Sequence, residues 1–207
     1  TGDGVNDAPA LKQADVGVAM CITGTDVAKG AAHAILTDDN FASIEAAVEE
    51  GRTVFDNLAK FITWTIPTNG GEALVILLAV IFGLQLPLLP VQLLWINLLT
   101  AVLLGTALIF EPKEDGIMSR RPRDPAQPIL TPELLGRTAL VSSLMAAGAF
   151  ALFAWEQNRG APIEEARTIV VNLIIGVEAF YLLACRTLKR PLLTARLAPN
   201  GWIWVGI

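Results

Sequence analysis

A mixed architecture is predicted: a partial α/β segment at the start of the chain, followed by an all-α bundle of transmembrane helices. Three observations predict it. The 207 residues are 53% hydrophobic and 17% charged, with a mean hydropathy of +0.53, whereas a soluble domain carries about 45–50% apolar and roughly 25% charged residues. The excess is uneven: residues 1–57 mix acidic and basic groups throughout, and from Phe61 onward long apolar runs alternate with short charged loops. Four of those runs reach the ~20 residues that a helix needs to cross ~30 Å of hydrocarbon.

In chain order, Thr1 to Met20 reads TGDGVNDAPALKQADVGVAM. Gly2 and Gly4 flank Asp3 and let the backbone turn tightly, which brings carboxylate oxygens close to a ligand. Asp7 is placed to cap a short helix through Ala14, with Pro9 in its first turn, where proline is tolerated. Val16–Ala19 and Ala34–Leu36 are short apolar runs of buried-strand type. Strands and a helix at this spacing describe one edge of an α/β domain over residues 1–45. On a loop above such a sheet, Asp3, Asn6 and Asp7 suit a hard cation, because Mg²⁺ takes one or two carboxylates together with substrate phosphate. Pair by pair, GDG and ND are also common turn formers. His33 has no ligand companion and reads as structural. Cys21 and Cys185 lack the partner spacing of a disulfide or metal site.

From Phe41 to Ala59 the residues Ile44, Val48, Phe55 and Leu58 recur at near-helical spacing. Residues 46–57 are therefore expected to form a stalk helix running into the first span, able to carry movement or to serve as a plain linker. The transmembrane domain occupies 58–207, with spans at about 58–83, 88–110, 134–155 and 168–188 and the start of a further one at 202–207. The loop after the second span holds Lys113, Arg120, Arg121 and Arg123, and the one after the fourth holds Arg186, Lys189, Arg190 and Arg196. The turn 84–87 carries no charge, and the loop between the third and fourth spans has only Arg159 and the flanking Arg167. Basic loops stay inside, so these two loops and residues 1–57 are expected in the cytoplasm. The chain opens inside a glycine-rich loop, without Met or a signal-peptide pattern, and closes on an apolar run of one turn or two; both ends are expected to continue.

Ionisable residues at mid-bilayer cost about 2.5–3.5 kcal/mol each and are functional candidates by default. Glu72 lies in the middle of the first span and Glu178 in the middle of the fourth. Asn69 and Glu72 are three apart and share a helix face, and Asn97 and Thr100 repeat that spacing in the second span. Pro67, Gly70 and Gly71 weaken a regular helix around the first pair, and broken helices at the midplane free carbonyls for ions. Oxygen groups from three helices thus converge on one cation in this reading. Interhelical hydrogen bonding is the other role open to the Asn and Thr residues.

TGDGVNDAPAL resembles, over eleven consecutive residues, the hinge motif of the P-type ATPases of the haloacid-dehalogenase superfamily. Asp38-Asp39-Asn40-Phe41 and Val48-Glu49-Glu50-Gly51-Arg52 look like the approach to that family's fifth membrane helix, and Pro90-Val91-Gln92-Leu93-Leu94-Trp95-Ile96-Asn97-Leu98 like the start of its sixth. The resemblance covers essentially the whole chain, through the eighth membrane helix, and points to the type II, calcium-pump-like branch. It implies a haloacid-dehalogenase-like phosphorylation domain in which Asp3 holds the catalytic Mg²⁺, Asn6 bonds phosphoryl oxygens and Asp7 supports the site, with Gly2 and Gly4 shaping the cofactor loop. It also implies that Asn69 and Glu72, Asn97 and Thr100, and Glu178 ligate the transported cation. The calcium pumps have an aspartate directly after the sixth-helix threonine, where this chain has Ala101; two-calcium stoichiometry and calcium specificity both turn on that residue, so Ca²⁺ is the favoured cargo and Na⁺, K⁺ or H⁺ are the alternatives.

The expected function is therefore ATP-driven cation transport through a phosphoenzyme cycle, with Mg²⁺ and ATP as cofactors, in a plasma (inner) membrane. The expected partners are the cation, the lipid bilayer and the missing N-terminal part of the same polypeptide. The family's DKTGT string, which carries the phosphorylated aspartate, does not occur here, so the fragment alone is expected to be inactive. A membrane-anchored phosphatase is the alternative, and a regulatory protein with a dead catalytic loop a third reading; mid-depth Glu72 and Glu178 count against the first, and intact Asp3, Asn6 and Asp7 against the second. A net charge of −5 without a basic, aromatic-studded face argues against nucleic acid.

Overall fold

The computed structural model describes residues 1–124, 126, 128–187 and 199–206, which fall into two compact units, Thr1–Arg52 and Thr53–Ile207. In the first, β1 (Val18–Met20) pairs in parallel with β2 (Ala34–Leu36), Val18 opposite Ala34. A parallel pair needs a crossover, here α2 (Asp26–Ala31), whose cap Thr25 accepts the Ala28 amide. Gly2 extends the sheet on the far side of β1: its N–H donates to the Val18 carbonyl at 3.1 Å and its carbonyl accepts from Met20 at 3.3 Å. Leu11 of α1 (Ala8–Gln13), Ala19 and Ala28 form the small core.

β2 falls on the expected run Ala34–Leu36 but is less buried than expected, and β1 starts two residues later than the run Val16–Ala19. A Cβ on Gly17 would lie 2.1 Å from the Leu11 carbonyl oxygen, so the chain is still turning past α1 there, and Val16 stays exposed. The strand begins at Val18. Ile35 of β2 is 47% exposed, because β2 is the edge of the sheet and the described residues place no layer over that face. His33 accepts the Gly17 amide through Nδ1. Asp39 sits at φ 47° and accepts the Cys21, Ile22 and Thr23 amides, fastening the loop after β1.

Among the described residues four helices are long and apolar enough to cross a membrane: α3 (Phe41–Ile81), α4 (Pro90–Ile109), α5 (Pro132–Asn158) and α6 (Ile163–Cys185). A short α7 spans Gly201–Gly206. Proline opens α4 and α5 where its missing N–H is harmless, and Thr131 caps α5. Without a hydrophobic force between helices in lipid, close packing and hydrogen bonds must hold the bundle. Gly70 and Gly71 supply the first: a Cβ would meet Ser142 Oγ at 2.7 Å and Met145 Sδ at 2.6 Å. They bring α5 against α3 and do not break it; α3 is one uninterrupted helix through Pro67.

Polar ties mark the two ends of the bundle. At one end Arg167 donates to the Leu86 carbonyl and Gln157 to Gln85, which joins the two charge-poor connections. At the other, Glu111, 5% exposed, takes a 2.8 Å ion pair from Arg186 and a 2.6 Å bond from Asn200, while Asn57 of α3 donates to the Ile109 and Glu111 carbonyls. Nearby, Lys60 and Arg120 both pair with Glu114, and Arg120 also with Asp56. Burial pushes the Glu114 carboxyl up, but those two cations outweigh it and hold it below its ordinary value. Lys189, Arg190 and Arg196 of the second basic loop, Leu188 and Ile207 lie outside the described residues.

Candidate functional site

Each helix of the bundle turns one stripe of residues inward at the three-to-four spacing of an α-helix: Trp64, Thr68, Glu72, Val75 and Ala79 on α3; Ile96, Thr100 and Leu104 on α4; Val170, Ile174, Glu178 and Leu182 on α6. The carboxylates are therefore inside by helical phase. Glu72 is 2% exposed and Glu178 1%. Asn97, half-buried, donates its amide to Glu72 Oε2 at 2.6 Å and also bonds the Leu93 carbonyl. Thr100, 6% exposed on the interior stripe of α4, donates its hydroxyl to the Ile96 carbonyl at 3.0 Å. Glu72 Oε1 and Glu178 Oε2 are both buried without a hydrogen-bond partner.

Leaving one buried polar atom unsatisfied costs about 1–3 kcal/mol, and more when it is charged. Two such oxygens on different helices, beside an amide and a hydroxyl, make a hard, all-oxygen donor set. A cation held between them is the partner that would satisfy both. Among the described residues no cluster of three or more His, Cys, Asp or Glu side chains is assembled for a metal.

Asn69 stands apart: it is exposed, and the buried neighbour of Glu72 on α3 is Thr68, 1% exposed. Ala101 is likewise exposed, one residue past Thr100. The carbonyl that Pro67 leaves without its usual N–H, that of Thr63, is taken by the Tyr181 hydroxyl at 3.2 Å, and Ser142 donates to the Pro67 carbonyl. The backbone here is committed to neighbouring helices. Sequence reasoning passed over Thr68, Trp64 and Tyr181; the i, i+4 relation of Trp64, Thr68 and Glu72 was the available signal for the first two.

In the first unit the Asp3–Asp7 loop leaves the carboxyl end of the Gly2 extension of the sheet, where ligands of open α/β sheets bind. Asp7 turns back and accepts the Asp3 and Gly4 amides at 3.0 and 2.9 Å. A Cβ on Gly2 would lie 2.5 Å from the Asp7 Cβ, so glycine there is what lets the side chain fold in. Gly4 itself is extended, φ −91°, and uses none of its special freedom. The Gly4 and Asp3 N–H groups hold the Asp7 carboxyl below its ordinary value. The Asp3 carbonyl is fixed by the Thr25 amide at 2.8 Å, and the Asp3 and Asn6 side chains face solvent. One presented carboxylate and one amide, on a loop held rigid by a second carboxylate, fit Mg²⁺ shared with a phosphate, which keeps most of its shell as water and substrate oxygens.

A family model described as "Cation transporting ATPase, C-terminus" matches residues 85–207. The chain is 62% identical over 207 residues to a probable cation-transporting ATPase F of Mycobacterium tuberculosis, covering 100% of the chain and 23% of that protein. It is 41% identical over 188 residues to a calcium-transporting ATPase of Bacillus subtilis, covering 90% of the chain and 21% of that protein. It is 39% identical over 187 residues to calcium-transporting ATPase 1 of Yarrowia lipolytica, covering 90% and 20%. The chain thus spans less than a quarter of the length of these relatives.

Proposed function

Since the chain belongs to the cation-transporting ATPases, we propose that it supplies the Mg²⁺/phosphate loop and the cation site of an ATP-driven pump working through a phosphoenzyme. The observation that carries the transport half of this reading is the pair of buried carboxylates, Glu72 and Glu178, each with an oxygen left unpartnered. Thr100 and Asn97 are proposed to complete the site, and Asn69, exposed on α3, to join it only in the intact pump. Calcium is the proposed cargo, at one ion per cycle: two carboxylates balance one divalent charge, and Ala101 offers no oxygen for a second. The calcium-transporting names among the relatives agree with that choice, and those relatives lend no support to a membrane-anchored phosphatase.

In the first unit, residues 1–45 are proposed as the edge of a haloacid-dehalogenase-like phosphorylation domain and 46–57 as its stalk. Asp3 would hold the Mg²⁺, with Asn6 on phosphoryl oxygens and Asp7 shaping the loop. Bound there, Mg²⁺ supplies neutralisation of the charge on the transferring phosphoryl group. The site is proposed to lie in the cytoplasm of a cell with this pump in its plasma membrane.

A cation panel on the ATPase activity of the intact pump tests the reading. Calcium is expected to stimulate along a non-cooperative titration, and Ala101→Asp to make that titration cooperative or to change the preferred cation. Stimulation by Na⁺ or K⁺ in place of Ca²⁺ removes the cargo assignment, and hydrolysis indifferent to every cation removes the pump. Topology is tested separately. A cysteine at exposed Ser119 should resist impermeant thiol reagents in intact cells and react once the membrane is opened; ready labelling in intact cells inverts the orientation.

A further inference from the structure

The bonds between α3 and α6 around the carboxylates form a reciprocal pattern. Trp64 of α3, 2% exposed, donates its indole Nε1–H to the main-chain carbonyl of Glu178 at 3.0 Å. Tyr181 of α6 donates its hydroxyl to the main-chain carbonyl of Thr63 at 3.2 Å. Adjacent residues of one helix and residues one turn apart on the other thus exchange side-chain-to-backbone bonds. Neither bond is an accident of exposed side chains. The first ends on the residue that carries the Glu178 carboxylate. The second uses a carbonyl that Pro67, four residues on, has deprived of its helical N–H.

We propose that Trp64 and Tyr181 are positioning residues of the cation site: a two-bond clamp that fixes the axial and rotational register of α6 against α3, and so the placement of the Glu178 carboxylate relative to Glu72. Pro67 is the element that creates the second half of the clamp. In lipid such a bond has no water to compete with, and slippage by one residue rotates α6 by about 100°, which would take Glu178 off the interior stripe. The proposal rests on the cation-site reading above.

The clamp makes a prediction that a merely structural tyrosine would not. Tyr181→Phe removes one oxygen and keeps the ring, so the helices still pack. In the intact pump it should raise the half-activating cation concentration about three- to tenfold, the scale of a single interhelical hydrogen bond, with maximal turnover at saturating cation nearly unchanged. Pro67→Ala returns an N–H to the Thr63 carbonyl. In that background the same Tyr181→Phe change should have little effect on cation affinity, and the two substitutions should be non-additive in thermal unfolding of the detergent-solubilised protein. Trp64→Phe should raise the half-activating concentration in both backgrounds, because its bond does not depend on Pro67.

An unmoved cation affinity in Tyr181→Phe, or an equal loss with and without Pro67, overturns the clamp. A wild-type pump indifferent to cations overturns the transport reading. In that case the thermal cycle still decides whether the clamp exists: additive substitutions remove it, and non-additive ones leave a clamp with no cation site to position.

Discussion

Glu72→Gln is expected to raise the half-activating cation concentration of the intact pump by at least about 30-fold. The substitution is nearly isosteric, and the new amide oxygen still accepts the Asn97 bond that Glu72 Oε2 takes at 2.6 Å, so the interior of the bundle is preserved. What is lost is half of the negative charge at the site. Two unit charges about 4 Å apart interact by about 4 kcal/mol at an effective dielectric constant of 20. Even after the amide dipole recovers part of this, ~2 kcal/mol or more remains, which corresponds to the 30-fold shift. Glu178→Gln should act similarly, and the two together should fall short of the summed effects, because both carboxylates are proposed to hold the same ion. A titration of cation-stimulated ATPase activity that is superimposable on wild type would remove Glu72 from the site.

The helices of this fold were legible because the bilayer imposes length and hydropathy at once, and few sequences satisfy both by chance. The buried carboxylates were legible for the same reason: a Glu in mid-span has few places to go but inward. Phase was harder to read. Asn69 lies about 60° from Glu72 around α3, and Thr68 about 40° on the other side. Spacing alone allowed either as its inward neighbour; in the bundle Thr68 is 1% exposed and Asn69 is on the exposed side.

Pro67, Gly70 and Gly71 show a second limit. Read locally, each weakens a helix; in the bundle the glycines admit Ser142 and Met145, and Tyr181 takes the carbonyl that Pro67 orphans. Those partners lie far away along the chain, so no window of sequence displays them. The start of β1 shifted for a similar reason, since the close approach of Gly17 to the Leu11 carbonyl decides where extended backbone can begin.

Asp3→Asn is expected to reduce turnover of the intact pump by at least about 100-fold, the largest single effect in the first unit. Removing even an outer-shell partner of a metal ligand costs roughly 10- to 100-fold, and Asp3 is proposed as the direct carboxylate ligand. Asparagine fits the same space, and the Asp3 amide and carbonyl remain tied to Asp7 and Thr25, so the loop should keep its shape while losing charge. Raising Mg²⁺ should therefore restore part of the activity.

Asp7 separates the two roles. Its carboxylate is spent on the Asp3 and Gly4 amides, and Asp7→Ala should lower activity by loosening the loop, without rescue by Mg²⁺. The linkage sign follows from the depressed Asp7 pKa: its contribution to the loop is present above the ordinary carboxylate range and is lost as pH falls through the lower, folded value. Across the working range near neutrality the loop stays closed, so pH there should not mimic Asp7→Ala. Activity assays of both variants over a range of Mg²⁺ concentrations decide the matter. Full turnover of Asp3→Asn at ordinary Mg²⁺ removes the ligand assignment, and equal Mg²⁺ rescue of the two variants removes the distinction between a residue that holds the ion and one that holds the loop.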